Sequence, residues 1–484
     1  MKQKNLSINI VLNIIRSLLT IIFPLITYPY AAKILLPTGI GKYNYVISII
    51  SYYQLISTLG INTYAITEGA KIRSDKNKLN AFCNEVLWLN VVSTTIAYVL
   101  LAATAFWGFF DNCLEMLLIC SVTILFNMMG MNWFYSIEED FFYVTLRTVF
   151  FQIISIVLLF VIIKKPEDLN TYCWLSVIST GGSNLCNILF LRKKIKICLN
   201  PFSINWHSIK NMLKPVSIIF FASAASTIYM NSDKIMLGIF WDNYAVGIYS
   251  TSVKIVSVVM TIIVAFREVL LPRLSYYISN SNIDLATELM YKGLSAIYMF
   301  TIPCIVGIVL MRNDLIIFIS SIEYITASKS LSILCFELIF APISAFLAYQ
   351  ILIPLGKISV VTLSTIIGSL VNVVLNLFLI PIVRENGAAI TTVMAEMIVF
   401  LVLYHEIRKV ISLNKLKNEI VQYCMGAILI IPVILLCRNI SNDIVRLIFT
   451  LTVSVLLYVG FLLLMHNTMI HNCCIKLMRF VIRK

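Results

Sequence analysis

The stretch Ile358-Ser-Val-Val-Thr-Leu-Ser-Thr-Ile-Ile-Gly-Ser-Leu-Val-Asn-Val-Val-Leu-Asn-Leu-Phe-Leu-Ile-Pro381 carries no charged side chain. A bilayer has a hydrocarbon core about 30 Å thick, which about 20 helical residues cross at about 1.5 Å each. The stretch is therefore long enough to span. Its polar side chains are not scattered. Thr362, Thr365, Ser369, Asn372 and Asn376 follow one another at steps of three and four, which sets them on one helix face. A helix that is apolar to lipid and polar along one stripe predicts a bundle inside the membrane.

Working outward, about fourteen such runs appear, near 8–35, 43–66, 82–107, 113–135, 143–163, 170–191, 212–232, 246–271, 291–311, 328–353, 358–381, 387–407, 420–437 and 443–465. Of the 484 residues, 60% are hydrophobic and 12% charged, against about 25% charged in soluble domains. The mean hydropathy is +0.92. A soluble enzyme, a disordered chain and a disulfide-rich secreted module are excluded. The fold expected is an all-α polytopic membrane protein. The first run follows Met-Lys-Gln-Lys without a small-residue cleavage site, so it is read as a retained helix.

The net charge of +14 is distributed unevenly. With the N-terminus in the cytosol, the cytosolic segments hold about 23 Lys and Arg and the outer loops about 9. Both termini are therefore expected to be cytosolic. The charge is spread over short loops, which argues against a nucleic-acid partner. The twelve cysteines form no ligand array, and Cys473-Cys474 in the tail is the only pair. No phosphate-binding loop is present. No cofactor and no metal site are expected.

The chain echoes itself weakly. Tyr143-Val-Thr-Leu-Arg-Thr148 and Val360-Val-Thr-Leu-Ser-Thr365 open the fifth and eleventh runs, 217 residues apart. Lys33-Ile-Leu…Gly41-Lys-Tyr43 matches Lys234-Ile-Met…Gly247-Ile-Tyr249 in the second and eighth. Each echo joins run n to run n+6. An even offset preserves orientation, so the prediction is two parallel six-helix lobes, residues 1–200 and 201–412. Residues 413–484 supply two additional helices and a tail. Parallel repeats about an axis along the membrane normal are a transporter layout.

Cations within apolar runs are the sharpest chemical feature. A central Lys or Arg costs roughly 2.5–3.5 kcal/mol on insertion scales, so it faces water, a partner or a ligand. Arg16 and Lys254 sit well inside their runs, with no carboxylate one turn away. Arg267, Lys33 and Arg147 lie nearer helix ends. Arg147 and Lys33 can snorkel to the interface, and Arg267 has Glu268 beside it as an ion-pair partner. The polar residues expected to line a cavity with these cations are Asn13, Thr20, Ser51, Asn231, Ser257, Thr261 and Asn372. Asp233 and Glu268 are candidates for ion pairing or coupling. Cations with hydroxyls and amides suit an anionic, hydroxyl-rich ligand, phosphate taking Arg through a two-point grip. Packing through small hydroxyls explains many of the same Ser and Thr residues equally well.

The segments Tyr28-Pro-Tyr-Ala-Ala-Lys-Ile-Leu-Leu-Pro-Thr-Gly-Ile-Gly41, Asn132-Trp-Phe-Tyr-Ser-Ile-Glu-Glu139, Ser232-Asp-Lys-Ile-Met-Leu-Gly238, Val246-Gly-Ile-Tyr249 and Glu268-Val-Leu-Leu-Pro-Arg273 resemble polysaccharide repeat-unit flippases of the O-antigen and capsule type. These belong to the multidrug/oligosaccharidyl-lipid/polysaccharide exporter superfamily. The family line often has Arg-Leu-Gly-Pro after its first helix, where this chain has Lys33-Ile-Leu-Leu-Pro37. The resemblance implies transfer of undecaprenyl-diphosphate-linked oligosaccharide across the cytoplasmic membrane by alternating access, without catalysis of a bond change. It also implies that the diphosphate meets cavity cations, for which Arg16 and Lys254 are the foremost candidates and Lys33 and Arg267 the next. The implied partners are the lipid-linked glycan, the bilayer, a polysaccharide polymerase and chain-length machinery. A lipid II-type precursor flippase and a cation/drug antiporter share the expected fold. The antiporter should carry acids where this chain carries cations.

Overall fold

The computed structural model describes residues 6–194, 200, 205–280, 282–408, 413–467 and 469–471. The side chains of 6–22, 111, 141, 188–189, 192–194, 269 and 413–414 lie outside that description, as does the Cys473-Cys474 pair. The described residues are mostly helical, with no strand among them. The helices are α1 (Leu6–Thr58), α2 (Ile61–Ile72), α3 (Lys76–Phe106), α4 (Leu114–Gly130), α5 (Asn132–Ile137), α6 (Phe141–Ile162), α7 (Leu169–Val177), α8 (Ser183–Lys194) and α9 (Trp206–Phe240). They continue as α10 (Asn243–Ser279), α11 (Ile283–Leu310), α12 (Arg312–Ile319), α13 (Ala327–Leu334), α14 (Glu337–Phe346), α15 (Ile358–Ile407), α16 (Lys417–Cys437) and α17 (Asp443–Leu464).

Among the described residues, nine helices are long and apolar enough to cross a membrane, or ten if the bent pair α13–α14 is one span. Two of the longest helices are broken inside. α1 turns at Leu36, where φ is 60° and ψ 170°. α15 turns at Val383 and Arg384, the latter with φ 55°. Leu36 occupies the place where the family line has glycine, and it takes a left-handed backbone that glycine adopts without cost. Helix starts follow ordinary capping. Asp75 accepts from the backbone N–H groups of Asn77 and Lys78 at the head of α3, and the Lys78 amide above all holds its carboxyl below the usual range. Asn442 does the same for α17 through Ile444 and Val445.

The chain forms two compact units, Met1–Gly247 and Ile248–Lys484. In the first, α1 packs along α3, α4, α6 and α9. Its core joins Val46, Ile49, Ile50 and Tyr53 of α1 to Leu117, Cys120 and Ile124 of α4. In the second unit, α11 lies against α16, and α16 against α17. Ser295 of α11 donates to Glu419 and shares a 2.6 Å hydrogen bond with the fully buried Tyr423, so α16 is tied on by polar bonds as well as packing. Many large apolar side chains face outward, among them Leu363, Leu370, Leu377 and Phe378 of α15. In water that would be unstable; against lipid tails it is the expected surface.

Both echoes have structural counterparts. Phe141 and Ile358, the first residues of α6 and α15, are separated by 358 − 141 = 217 residues, the offset of the first echo. In the second echo, a Cβ added to Gly41 would lie 1.6 Å from the carbonyl oxygen of Asn243, and one added to Gly247 would lie 2.0 Å from that of Pro37. Pro37 and Asn243 stand 206 residues apart, as do Gly41 and Gly247. The contact is thus reciprocal: each glycine admits the carbonyl that starts the other helix. The echoed tyrosines also act alike. Tyr43 bonds Ser176 of α7 at 2.5 Å, and Tyr249 bonds Thr392 in the second half of α15 at 3.1 Å.

Candidate functional site

The predicted cavity residues fall into three groups. Arg16, Asn13 and Thr20 lie on α1, but their side chains are outside the described residues. Lys33 is exposed, three residues before the Leu36 break. Lys254 is half-buried on α10, one and two turns before Ser257 and Thr261 on the same face. Those two hydroxyls donate within their own helix, Ser257 to the Lys254 carbonyl at 2.7 Å and Thr261 to the Ser257 carbonyl at 2.6 Å. Ser51 donates to the Ser48 carbonyl and Asn231 to that of Thr227. Such back-bonding satisfies the donor locally and leaves oxygen lone pairs for other contacts.

Asn372 is fully buried in the second unit. It accepts from Asn376 at 3.1 Å, and Asn376 accepts from Thr391 at 2.5 Å. This chain of amides and a hydroxyl clamps the two halves of α15 together. Asp233 is 5% exposed on α9, in the first unit. Glu268 is exposed and makes no ion pair with its neighbour Arg267. The local pairing expected between them is therefore not formed.

Arg267 instead stacks on an aromatic ring. Its guanidinium carbon lies 4.8 Å from the ring centroid of Tyr349. Tyr349 is half exposed on a π-helical turn, Leu347–Leu352, that follows α14. The adjacent Gln350, 1% exposed, donates to the Arg267 carbonyl at 3.5 Å. Neither Tyr349 nor Gln350 stood out from the sequence. A π turn inserts an extra residue, so its side chains do not follow the three-and-four spacing on which stripes are read.

Arg147 also departs from expectation. It does not snorkel; it is 7% exposed inside the first unit. It donates to Asn132 Oδ1 at 2.6 Å and to the Ser183 carbonyl at 3.3 Å. The Tyr135 and Tyr143 rings each lie 5.5 Å from its guanidinium carbon. Asn132 donates in turn to Asn184, and Asn187 donates to Asn132 and to the Gly130 carbonyl. The Asn132–Glu139 motif thus builds a buried polar joint between α5, α6 and α8. Its role is architectural. Among the described residues, no group of three or more His, Cys, Asp or Glu is placed to hold a metal ion.

The comparisons with known proteins agree with this architecture. A Shigella dysenteriae protein provisionally named an O-antigen transporter is 22% identical over 76% of this chain and 90% of its own. The capsular polysaccharide biosynthesis protein CapF of Staphylococcus aureus is 23% identical over 77% of this chain and 92% of its own. Among solved structures, the lipid II flippase MurJ in an inward closed conformation superposes with a TM-score of 0.75, at 18% identity, over 95% of this chain and 100% of that one. An inward-facing multidrug MATE transporter of the MOP superfamily gives a TM-score of 0.62 at 14% identity, covering 80% and 94%. These likenesses establish the fold, which is the one MurJ and the MATE transporter have, and with the apolar helices make this a multi-pass membrane protein. Residues 6–278, more than half of the chain, match the family described as "Polysaccharide biosynthesis protein", and the chain belongs to that family.

Proposed function

We propose that the protein is a flippase for lipid-linked glycans. It would carry undecaprenyl-diphosphate-linked oligosaccharide repeat units across the cytoplasmic membrane for surface polysaccharide. The observation that carries this reading is a match to a polysaccharide biosynthesis family in a chain with the exporter fold and cations inside apolar helices. A diphosphate is doubly anionic, and a cation left in a spanning segment is the group that would take it from the headgroup layer. Arg16 and Lys254 are the first proposed contacts, with Lys33 and Arg267 at the margins. Asp233 is the proposed coupling acid.

The arrangement proposed is fourteen crossings with both termini in the cytosol. Two parallel lobes, 1–200 and 201–412, rock about a central chamber, and residues 413–484 add two helices. The lipid tail stays in the bilayer while the sugar crosses with the protein, so no bond is made or broken. The polymerase and chain-length proteins are the proposed recipients.

The deciding experiment is deletion of the protein followed by mass spectrometry of the lipid-linked glycans in inner-leaflet-accessible pools. Accumulation of a diphosphate-linked repeat unit, with loss of surface polymer, is the expected result. The likeness to the MurJ fold favours a second reading, transport of a peptidoglycan precursor. Accumulation of lipid II instead would select it, and wild-type pools of both would reject both readings.

A further inference from the structure

We infer that the Arg267–Tyr349 pair is a loading subsite for the phosphate group of the lipid-borne donor, with Tyr349 as the residue that positions the cation. The inference rests on the flippase reading and adds to it a residue and a step. Arg267 lies at the end of the apolar part of α10, whose candidate span closes at Glu268. Tyr349 lies near the end of the span formed by α13, α14 and the π turn. In the proposed orientation both ends face the cytosol, where the donor is made.

Three features of the pair point to a ligand. The guanidinium makes no hydrogen bond to any described residue, and its Nε is buried. Stacking on Tyr349 holds the plane by its face, which leaves the two terminal NH2 groups to meet an anion. The Gln350 Oε1 atom is likewise buried without a partner among the described residues. A guanidinium donor and an acceptor on two adjoining segments match a group that offers phosphate oxygens beside a hydroxyl, as a glycosyl phosphate does. A π turn is a costly way to build a helix and recurs where a side chain must be re-aimed. Here it brings Tyr349 under the guanidinium and Gln350 against the Arg267 carbonyl together.

The competing account is an interfacial anchor: an Arg and a Tyr at headgroup depth that hold the helices in register with bulk lipid. Transport kinetics separate the two. The full-length protein is reconstituted in phosphatidylcholine vesicles with a fluorescent undecaprenyl-diphosphate disaccharide, and the half-saturating donor concentration and the maximal rate are read for each variant. Arg267→Gln should raise the half-saturating concentration about tenfold and Tyr349→Leu about three- to fivefold, with maximal rates within about twofold. Tyr349→Phe, which keeps the ring, should match the parent. Arg267→Lys, which keeps the charge but loses the flat two-point edge, should fall between. The double variant should be no worse than Arg267→Gln alone, because Tyr349 acts through the cation.

Inorganic pyrophosphate that competes in the parent, and less in Arg267→Gln, would identify the free anion as sufficient. Absence of competition with the same donor shifts would restrict the subsite to the lipid-borne group. The inference is overturned if Tyr349→Leu leaves half-saturation unchanged, if the two substitutions add, or if only the maximal rate falls. It is overturned in favour of the anchor if phosphatidylglycerol in the vesicles restores the variants. A parent protein that moves no diphosphate-linked sugar would overturn the flippase reading itself, whereas a working parent with indifferent variants removes the subsite alone.

Discussion

Arg147 and Arg267 are both arginines in apolar helices, and the structure treats them in opposite ways. Arg147 is enclosed by Asn132, the Ser183 carbonyl and two tyrosine rings. Arg267 has one ring and no hydrogen-bond acceptor among the described residues. A buried cation costs free energy unless its donors are satisfied. At Arg147 both terminal nitrogens donate, although Nε does not, and the residue holds its joint together. At Arg267 the donors are left for the proposed subsite. Position in the sequence did not separate the two, since both stand near helix ends; the hydrogen bonds of the terminal guanidinium nitrogens do.

The largest expected effect tests the first half of that contrast. Arg147→Ala removes two hydrogen bonds and a cation from a buried joint, where Asn132 Oδ1 keeps only its 3.3 Å bond from Asn187, so a loss of about 1–3 kcal/mol is expected. Folded protein recovered by size-exclusion chromatography in detergent should drop sharply, with Arg147→Lys only partly better because Lys lacks the flat fork. A normal yield for Arg147→Ala would break the comparison.

Leu36→Gly carries the same logic to the backbone. A leucine at φ 60° and ψ 170° stores strain of order 1–3 kcal/mol, part of which is returned to the unfolded chain's entropy by glycine. A net gain of about 1 kcal/mol is expected, seen as a raised midpoint in a thermal melt. A lowered midpoint would mean the turn is held by the Leu36 side chain.

Arg267→Met should leave the thermal midpoint unchanged or slightly raised, because it removes a charge that makes no hydrogen bond among the described residues. A fall comparable with that of Arg147→Ala would erase the contrast. The smallest effect is expected at Ser364, which the 217-residue echo pairs with Arg147. Its hydroxyl donates to the Val361 carbonyl of its own helix, so Ser364→Ala should shift stability by no more than about 0.5 kcal/mol. A large loss there would imply a second joint like that of Arg147.

The helical membrane fold was legible because lipid imposes a simple rule: long apolar runs must become helices. The echo between halves was legible too, and the helix starts at Phe141 and Ile358 match its spacing. The breaks at Leu36 and Arg384 were less so, since a tight turn between two helices leaves little polar sequence to mark it. The Arg147 joint was misread for a different reason. Asn184 and Asn187 lie far along the chain, and nothing local announces that they will enclose an arginine on α6. Tyr349 was missed because the π turn breaks the very periodicity used to find it. Two of the family motifs mark joints: Asn132–Glu139 builds the Arg147 joint, and Gly41 and Gly247 let two helices touch.

That last contact ties two distant positions to one fate. A Cβ on Gly41 would strike the carbonyl of Asn243, and one on Gly247 that of Pro37. Neither glycine can be exchanged for any other amino acid unless the backbone opposite it moves away.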